Sequence, residues 1–289
     1  MILSHEFPNN MSQTENKMQA INLEQVIAKK NPKLAKRLPK FLLRYLKKII
    51  HVDEINEILA KYGHLEGYDF LDKTLEEMNV SYEILQIENL PASGRFIIAS
   101  NHPLGGFDGL VLIQAMQRKY GEVRFLVNDI LMNLVPFRSL FVPINKHGGQ
   151  ARDGARILDE VLNSQMQVLI FPAGLASRKI KGKVIDLEWK KTFISKAVAY
   201  QRDVIPVFFE GQNSNFFYRL AAFRKFLRLK ANIEMLYLPD ETFKRRNSKL
   251  RLVVGKPIPY SQFTPDKTQT EWALHVREKV YDLQNQLKQ

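Results

Sequence analysis

Short apolar runs recur along the chain from residue 81 onward and alternate with longer amphipathic stretches. The runs are rich in β-branched and aromatic side chains, as β-strands are. They are "SYEILQI", "RFIIAS", "VRFLV", "LFVPIN", "QVLIF", "VIPVFF", "IEMLYL" and "LRLVVG". Helical spacing of apolar residues marks the segments 108–119, 151–164 and 187–200, and a closing segment "TEWALHVREKVYDLQNQL". This alternation predicts an α/β fold with a mostly parallel or mixed central sheet flanked by helices.

The chain before residue 81 follows a different pattern. Residues 1–18 are polar and aperiodic, whereas nine lysines and arginines and no acid lie between Lys29 and Lys48. The segment "PKFLLRYLKKII" predicts a basic amphipathic helix. Such a helix either packs on the domain or lies in the headgroup region of an anionic membrane. In the second case, the side chains expected to face the membrane are Phe41, Leu42, Arg44, Tyr45, Lys47 and Lys48.

Composition limits the domain organisation and the chemistry. A chain of 289 residues with 45% hydrophobic content can bury one large core without disulfides. We divide it into a leader and helical membrane-association segment over residues 1–80 and a main domain over residues 81–289. The absence of cysteine excludes a thiol nucleophile and thiolate zinc sites, and no two histidines have metal-ligand spacing, so we expect no metal.

The net charge of +13 favours a polyanionic partner, which can be a nucleic acid, an anionic membrane surface or an acidic acyl carrier. The cations flank apolar helical faces and strand ends, and no nucleic-acid motif is present, so we expect no nucleic acid. No apolar stretch is long enough to span a membrane, and the first residues lack the pattern of a signal peptide. We therefore expect a cytoplasmic protein that binds peripherally to the inner face of the cytoplasmic membrane.

The segment "RFIIASNHPLGGFDG" places a histidine directly after an apolar strand and an aspartate six residues later. Ligands gather at the carboxyl ends of strands in open α/β sheets. Gly105 and Gly106 would allow the backbone to fold back, so that Asp108 could orient His102 as a proton acceptor. Asp108 also stands where a helix begins, and it could instead be an N-cap. The spacing alone leaves both interpretations open.

Two further strand ends carry polar residues and glycines. The segment "LFVPINKHGG" ends in Asn145 and Lys146, and "VLIFPAGLASRK" ends in residues of a similar kind. These segments are either ordinary turns with solvated cations or an anion-binding rim beside the histidine. The rim would bind an acceptor or a donor through Asn101, Asn145, Lys146, Gly174, Ser177, Arg178 and Lys179.

Taken together, these segments resemble the glycerolipid and lysophospholipid acyltransferase superfamily, the PlsC-like proteins. The superfamily has an Asn-His followed after four residues by Asp, an aromatic and aliphatic strand ending in Asp-Arg, the motif Phe-Pro-Glu-Gly-Thr-Arg-Ser, and a Val-Pro-Val strand. The corresponding segments here are "SNHPLGGFD", "LFVPINK", "FPAGLAS" and "DVIPVFFEG". They occur in the same order and cover about residues 80–260.

Three departures from the superfamily pattern concern side chains implicated in holding a glycerol phosphate. Ala173 replaces the acid of the third motif, Ala176 replaces its arginine, and Lys146 replaces the arginine of the second motif. The first motif also has five residues between His102 and Asp108. These features are most similar to a bacterial branch labelled haemolysin. That branch includes O-acyltransferases that complete amino-acid lipids of the ornithine and glycine type.

The resemblance implies a mechanism without a covalent enzyme intermediate. His102 would take the proton of an acceptor hydroxyl as it attacks a thioester, and Asp108 would orient and stabilise the imidazolium. Backbone amides near Gly105 and Gly106 would receive the oxyanion. The donor would be acyl carrier protein or a coenzyme A thioester, the acceptor would be a lyso-lipid, and no permanently bound cofactor is expected.

Two alternative functions remain beside acylation of a lyso amino-acid lipid. One is acylation of 1-acylglycerol-3-phosphate to phosphatidic acid, which the altered third motif disfavours. The other is a non-catalytic, membrane-active protein of the haemolysin kind. Its support is the basic amphipathic segment 29–50 together with "RLAAFRKFLRLK" at residues 219–230.

Overall fold

Most of the apolar runs form strands in a computed structural model, which describes residues 20–127, 131–144, 149–229 and 231–288. The strands are β1 (Ser81–Leu85), β2 (Phe96–Ser100), β3 (Val123–Val127), β4 (Phe141–Pro143), β5 (Gln167–Ile170), β6 (Arg178–Ile180), β7 (Lys183–Ile185), β8 (Asp203–Phe209) and β9 (Lys249–Val254). The helices are α1 (Leu23–Lys30), α2 (Pro32–Arg37), α3 (Lys40–Ile50), α4 (Val52–Tyr62), α5 (Gly67–Glu77), α6 (Phe107–Tyr120), α7 (Gly149–Asn163), α8 (Thr192–Ala199), α9 (Asn215–Phe226), α10 (Leu238–Phe243) and α11 (Gln269–Asp282).

A seven-stranded sheet in the order β1-β9-β8-β2-β5-β3-β4 forms the centre of the fold. Strands β2, β3, β4, β5 and β8 run parallel to one another. β9 is antiparallel to β8 and parallel to β1, so the last two strands run in the opposite direction. The prediction of an α/β fold with a mostly parallel, mixed sheet is therefore confirmed. β6 and β7 lie outside this sheet and form a separate antiparallel pair.

Helices cover both faces of the sheet because successive strand residues point to opposite sides. On β2, Ile98 packs in a core with side chains of α5 and α6, such as Leu71 and Leu112. Its neighbour Ile97 packs on the other face with Phe193 of α8. β2 is buried along its whole length, as expected for a central strand of a parallel sheet.

One predicted strand is wrong. The run "IEMLYL" forms a 3₁₀ turn over Ile233–Tyr237, which leads directly into α10. Periodicity alone does not separate a short apolar run from a helical segment, and this run contains only one β-branched residue. Glu234 is fully buried, where two arginines pair with it, and this pairing holds the segment in its turn.

The basic amphipathic segment forms α3, which packs on the domain through α4, α10 and the 3₁₀ turn before α10. Phe41 and Tyr45 nevertheless remain 69% and 46% exposed. None of the helices in the described ranges is both long and apolar enough to cross a bilayer. The division of the chain at residue 80 stays a prediction.

Arg202 connects α7, β2 and β5 inside the protein. Its side chain is fully buried, and burial lowers its pKa to about 10. The guanidinium donates hydrogen bonds to backbone carbonyls of Leu162 (2.9 Å), Val161 (3.0 Å), Ser164 (2.8 Å), Met166 (2.7 Å) and Phe96 (3.4 Å). Most of these carbonyls belong to the end of α7, where a helix lacks its own donors.

Replacing this guanidinium should destabilise the fold strongly. We expect Arg202→Met to lower the free energy of unfolding by about 3 kcal/mol, because several buried carbonyls lose their donors. Urea denaturation followed by circular dichroism measures the change. Arg95→Met is the control, because within the described residues Arg95 donates one hydrogen bond, to the carbonyl of Tyr200 at 3.3 Å. Equal losses in the two variants would contradict this role of Arg202.

Candidate active site

The turn between β2 and α6 brings the predicted histidine and aspartate together. We call residues 101–106 the histidine turn. Gly105 has a φ of +76°, which glycine adopts without strain. A Cβ on Gly105 would lie 2.5 Å from Leu238 Cδ2 and 3.0 Å from Ala176 Cβ. The turn therefore requires glycine at position 105 both for its backbone conformation and for its close packing.

His102 and Asp108 form a hydrogen-bonded pair at the carboxyl end of β2. The distance from His102 Nδ1 to Asp108 Oδ2 is 3.0 Å, and Asp108 is fully buried. The same carboxylate accepts hydrogen bonds from the backbone amides of Leu104, Gly106 and Gly109, each at 3.0 Å. Both sequence interpretations thus apply, because one carboxylate orients the imidazole and also binds amides at the start of α6.

Charge and hydrogen bonding decide the protonation state of this aspartate. Burial by itself would raise the pKa of the Asp108 carboxyl. The His102 imidazole and the backbone amides outweigh burial and hold that pKa below its usual value. The carboxylate is therefore ionised at neutral pH and can only accept, so Nδ1 of His102 carries the proton. In the neutral ring, Nε2 is then the acceptor for a substrate proton.

The ring of His102 is held in place by an aromatic neighbour. Phe171, which follows β5, stacks on it with ring centroids 3.9 Å apart and an interplanar angle of 18°. Only 13% of the His102 side chain is exposed. The ring can therefore be reached only from a restricted direction, which suits a base that meets one hydroxyl group.

A second buried carboxylate, Asp186, holds the main chain of the histidine. Asp186 Oδ1 accepts from the amide of His102 at 3.2 Å and from the hydroxyl of Ser177 at 2.5 Å. Its Oδ2 accepts from Trp189 Nε1 at 2.8 Å, and the amide of Ser177 donates to the carbonyl of His102 at 2.8 Å. Burial raises the pKa of Asp186. We did not predict Asp186; the only signal in the sequence is an acid between Ile185 and Leu187.

Three of the predicted anion-binding side chains are used within the fold instead. Asn101 bridges to β8, since its Nδ2 donates to the carbonyl of Phe209 at 2.9 Å and its Oδ1 accepts from that residue's amide at 2.7 Å. Ser177 is bound to Asp186. Arg178 lies 3.0 Å from Glu234, and Glu234 also lies 2.9 Å from Arg224. Each of these polar groups is buried and already has partners in the fold, and a role of any of them in binding an anion stays a prediction.

Of the other four predicted rim residues, the structure describes two. Lys179 is exposed and donates to Asn215 Oδ1 at 3.2 Å, so it can still meet a ligand. Gly174 has a φ of +66°, and a Cβ on it would lie 2.7 Å from Lys190 Nζ. Asn145 and Lys146 lie outside the described residues.

The two backbone amides expected to bind an oxyanion differ in whether they already have a hydrogen-bond acceptor. The amide of Gly106 donates to Asp108 Oδ1, so it is not free to receive an oxyanion. Among the residues that the structure describes, no acceptor is hydrogen-bonded to the amide of Gly105. The structure thus favours Gly105 over Gly106 as a donor to an oxyanion, and the role of both amides stays a prediction.

An exposed aromatic surface adjoins the histidine turn. We define this aromatic face by the exposed side chains of Phe41, Tyr45, Phe216, Phe223 and Phe226. Tyr237 connects its two halves, because its hydroxyl lies 2.5 Å from that of Tyr45 and its ring lies 4.9 Å from that of Phe216. The next residue, Leu238, packs on Gly105. Tyr237 contacts the aromatic face and the next residue contacts the histidine turn, so the two surfaces adjoin each other.

The residues predicted to face a membrane lie on or beside this face. Phe41, Arg44, Tyr45 and Lys48 are exposed, whereas Leu42 and Lys47 are half-buried. Lys47 also forms an ion pair with Glu24 at 2.8 Å. The helix therefore packs on the domain with one side and exposes aromatic and basic groups on the other. Contact with a membrane stays a prediction.

An oriented imidazole at the strand end of an α/β sheet suits acyl transfer, and comparison with known proteins defines the class. A family model described as "Acyltransferase" matches residues 25–289, so the chain belongs to the acyltransferase family. Two relatives are named lyso-glycine lipid O-acyltransferase. The one from Bacteroides thetaiotaomicron is 46% identical over 93% of this chain and all of its own length. The one from Phocaeicola vulgatus is 44% identical over 93% of this chain and 97% of its own length.

Among solved structures, the 1-acyl-sn-glycerophosphate acyltransferase PlsC from Thermotoga maritima matches with a TM-score of 0.44 and 18% identity. The match covers 85% of this chain and 97% of that chain. The predicted resemblance to the glycerolipid acyltransferase superfamily is confirmed by the family model and the two relatives.

The packing of the histidine turn can be tested with two glycines that have nearly the same φ. We expect Gly105→Ala to lower the free energy of unfolding by about 3 kcal/mol, because strain from positive φ and overpacking add. Gly121 has a φ of +77° and open space around it, so Gly121→Ala should cost only about 1 kcal/mol. Thermal denaturation measures both. Adding Leu238→Ala should recover part of the loss at position 105; no recovery would contradict the packing argument.

Proposed function

We propose that this acyltransferase moves a fatty acyl group from a thioester donor to the hydroxyl of a lyso-lipid, and that the acceptor is a lyso-glycine lipid. The hydrogen bond of 3.0 Å between His102 and the buried Asp108 carries the proposal, because it turns Nε2 into a base at a strand end. The acceptor follows from the two relatives of that name, which match 93% of the chain.

The reaction needs only proton transfer and oxyanion stabilisation. His102 Nε2 takes the proton of the acceptor hydroxyl while the oxygen attacks the thioester carbonyl, and Asp108 stabilises the imidazolium. The amide of Gly105 donates to the oxyanion of the tetrahedral intermediate. When the carbon–sulfur bond breaks, the imidazolium returns its proton to the thiolate. The products are the O-acylated lipid and the free carrier thiol, and His102 is regenerated.

The surroundings of the histidine turn favour an acceptor without a phosphate. Related enzymes that act on glycerol phosphates have an acid and an arginine where this chain has Ala173 and Ala176. Both alanines are buried, and Ala176 packs against Gly105, so the site has no space for an arginine side chain. Arg178, the nearest replacement in the sequence, is paired with the buried Glu234 instead of being free. A phosphate at this place would therefore lack a free cation from this motif.

Acceptor preference and the role of the histidine can be measured together. Purified protein is offered a hexadecanoyl thioester with lyso-glycine lipid or with 1-acylglycerol-3-phosphate, and the products are quantified by mass spectrometry. We expect transfer to lyso-glycine lipid, and a decrease of about a thousandfold or more in His102→Ala because the general base is removed. His64→Ala is the control, because His64 is exposed and lies in the loop before α5.

Two results would overturn parts of this proposal. Preferential acylation of 1-acylglycerol-3-phosphate would replace the acceptor, and full activity of His102→Ala would remove the proposed base. If the protein permeabilised vesicles and transferred no acyl group to either acceptor, the membrane-active alternative would be correct instead.

We further propose that the aromatic face binds the inner surface of the cytoplasmic membrane, where the lyso-lipid resides. Phe226 is 81% exposed and Phe41 is 69% exposed, which is costly for large apolar side chains in water. Exposed cations accompany them: Arg44 and Lys48 lie on α3, Lys225 lies on α9, and Arg228 lies in the turn after α9. Aromatic anchors with basic neighbours suit an anionic bilayer surface. The contact through Leu238 places this surface beside the histidine turn.

Membrane binding can be separated from catalysis by changing exposed residues only. We expect Phe41→Ser with Phe226→Ser to weaken partitioning to phosphatidylglycerol-containing vesicles about tenfold or more, because two large apolar anchors are lost. Vesicle co-sedimentation measures the change. The control is Val198→Ser with Leu274→Ser, which removes side chains that are 42% and 49% exposed on α8 and α11. Equal weakening by both pairs would contradict a specific role for the aromatic face.

A further inference from the structure

A two-stranded hairpin stands outside the central sheet next to the histidine. β6 and β7 pair in antiparallel fashion, with Arg178 opposite Ile185 and Ile180 opposite Lys183. The two residues between them, Lys181 and Gly182, both have positive φ, at 48° and 80°. Two such residues form the tight turn that matches the twist of a hairpin. We call residues 178–185 the lysine hairpin.

Both ends of the lysine hairpin are attached to the catalytic histidine. Ser177, immediately before it, donates its amide hydrogen to the carbonyl of His102 at 2.8 Å. Asp186, immediately after it, accepts the amide hydrogen of His102 at 3.2 Å. Lys181 at the tip is four residues beyond Ser177, which at the rise of a strand is about 13 Å. A molecule bound along the hairpin is therefore held close to His102.

The hairpin and the segment after it carry an uncompensated positive charge. Lys179, Lys181, Lys183, Lys190 and Lys191 are all exposed. Within the described ranges, no carboxylate lies within ion-pair distance of any of them, although elsewhere lysines of α4, α5 and α8 do have such partners. The fold gains little from these ammonium groups, and together they outnumber the one exposed acid of this stretch, Glu188, so the local field is positive. Such a field attracts an acidic partner and accelerates its association.

The shape of the surface indicates which acidic partner fits. Small anionic ligands such as nucleotides bind mainly in concave sites. The hairpin lies outside the central sheet as a separate pair of strands, and its turn residues and three of its lysines are exposed. Ile180 and Leu187 are 41% and 37% exposed among the lysines, which offers apolar contact as well as charge. A hairpin of this kind suits the surface of an acidic protein.

We propose that the lysine hairpin is the docking surface for an acidic acyl carrier protein, which delivers its acyl thioester to His102 on a flexible phosphopantetheine arm. This inference rests on the proposed function, and it goes further by choosing the carrier protein over coenzyme A and naming where it binds. The carrier binds at the hairpin, and only its arm enters the site. The lyso-lipid reaches the same histidine from the aromatic face.

Charge reversal at the tip tests the docking surface without altering the site. The test variant is Lys181→Glu with Lys183→Glu. The control variant is Lys119→Glu with Lys256→Glu, which changes the net charge equally. Lys119 lies in the last turn of α6 and Lys256 lies just after β9. Both are therefore at the end of the sheet that is farther from the histidine. Each protein is assayed with two hexadecanoyl donors: the acyl carrier protein of Bacteroides thetaiotaomicron and a neutral acyl-pantetheine thioester.

The expected result is specific to the protein donor. The test variant should lose at least tenfold in kcat/KM with acyl carrier protein, mainly through KM, and should change less than twofold with acyl-pantetheine. The control should change less than twofold with both. Fluorescence anisotropy of the labelled carrier protein should show a matching loss of affinity in the test variant. The wild-type rate with carrier protein should fall steeply with salt, and the rate of the test variant should not.

Several outcomes would overturn the inference, and they differ from failure of the proposed function. Equal losses with both donors, or unchanged carrier affinity in the test variant, would show that the hairpin is not the docking surface. Wild-type transfer from acyl-pantetheine but not from acyl carrier protein would reject the carrier and leave the proposed function intact. Absence of transfer from every donor to lyso-glycine lipid would reject the proposed function itself, and this inference with it.

Discussion

The carboxylate of Asp108 is the constraint on which the site and the local fold both depend. A fully buried anion is stable only if donors surround it, and here one imidazole and three backbone amides do so. The same bonds shape the turn, begin α6 and set the tautomer of His102. Folding of this segment therefore produces the oriented base directly. The geometry of the His102–Asp108 pair has no existence apart from the backbone conformation between β2 and α6.

Two buried carboxylates lie close to His102, and their surroundings shift their pKa values in opposite directions. The pKa of Asp108 is lowered because the imidazole and the amides outweigh burial, whereas burial dominates at Asp186 and raises its pKa. Asp108 acts on the ring, and Asp186 acts on the main chain of the same residue. This division assigns the orientation of the ring to Asp108 and the position of the main chain to Asp186. It also makes Ser177 a structural link between the two sides of the turn.

The sequence predicted those features that depend on local periodicity or on short spacing. Seven apolar runs became strands of the sheet, and the pairing of His102 with Asp108 required only six residues and two glycines. The contacts that it did not predict involve partners that are distant in the chain. Nothing near Arg178 indicates that Glu234 will pair with it, and nothing near Asn101 indicates that it will bind Phe209. A polar side chain at a strand end is equally compatible with binding a ligand and with binding the protein itself.

The close contact among Gly105, Ala176 and Leu238 has a consequence for how this chain can change over time. The chain departs from the superfamily pattern at position 176 by more than a missing charge, because Ala176 and Leu238 pack closely on Gly105 there. An arginine restored at position 176 would collide with the histidine turn unless Leu238 became smaller at the same time. Each single replacement leaves either a clash or a void, so both intermediates are penalised. The packing around the histidine turn therefore couples position 176 to position 238, and an arginine at position 176 requires coordinated substitutions on two separate segments.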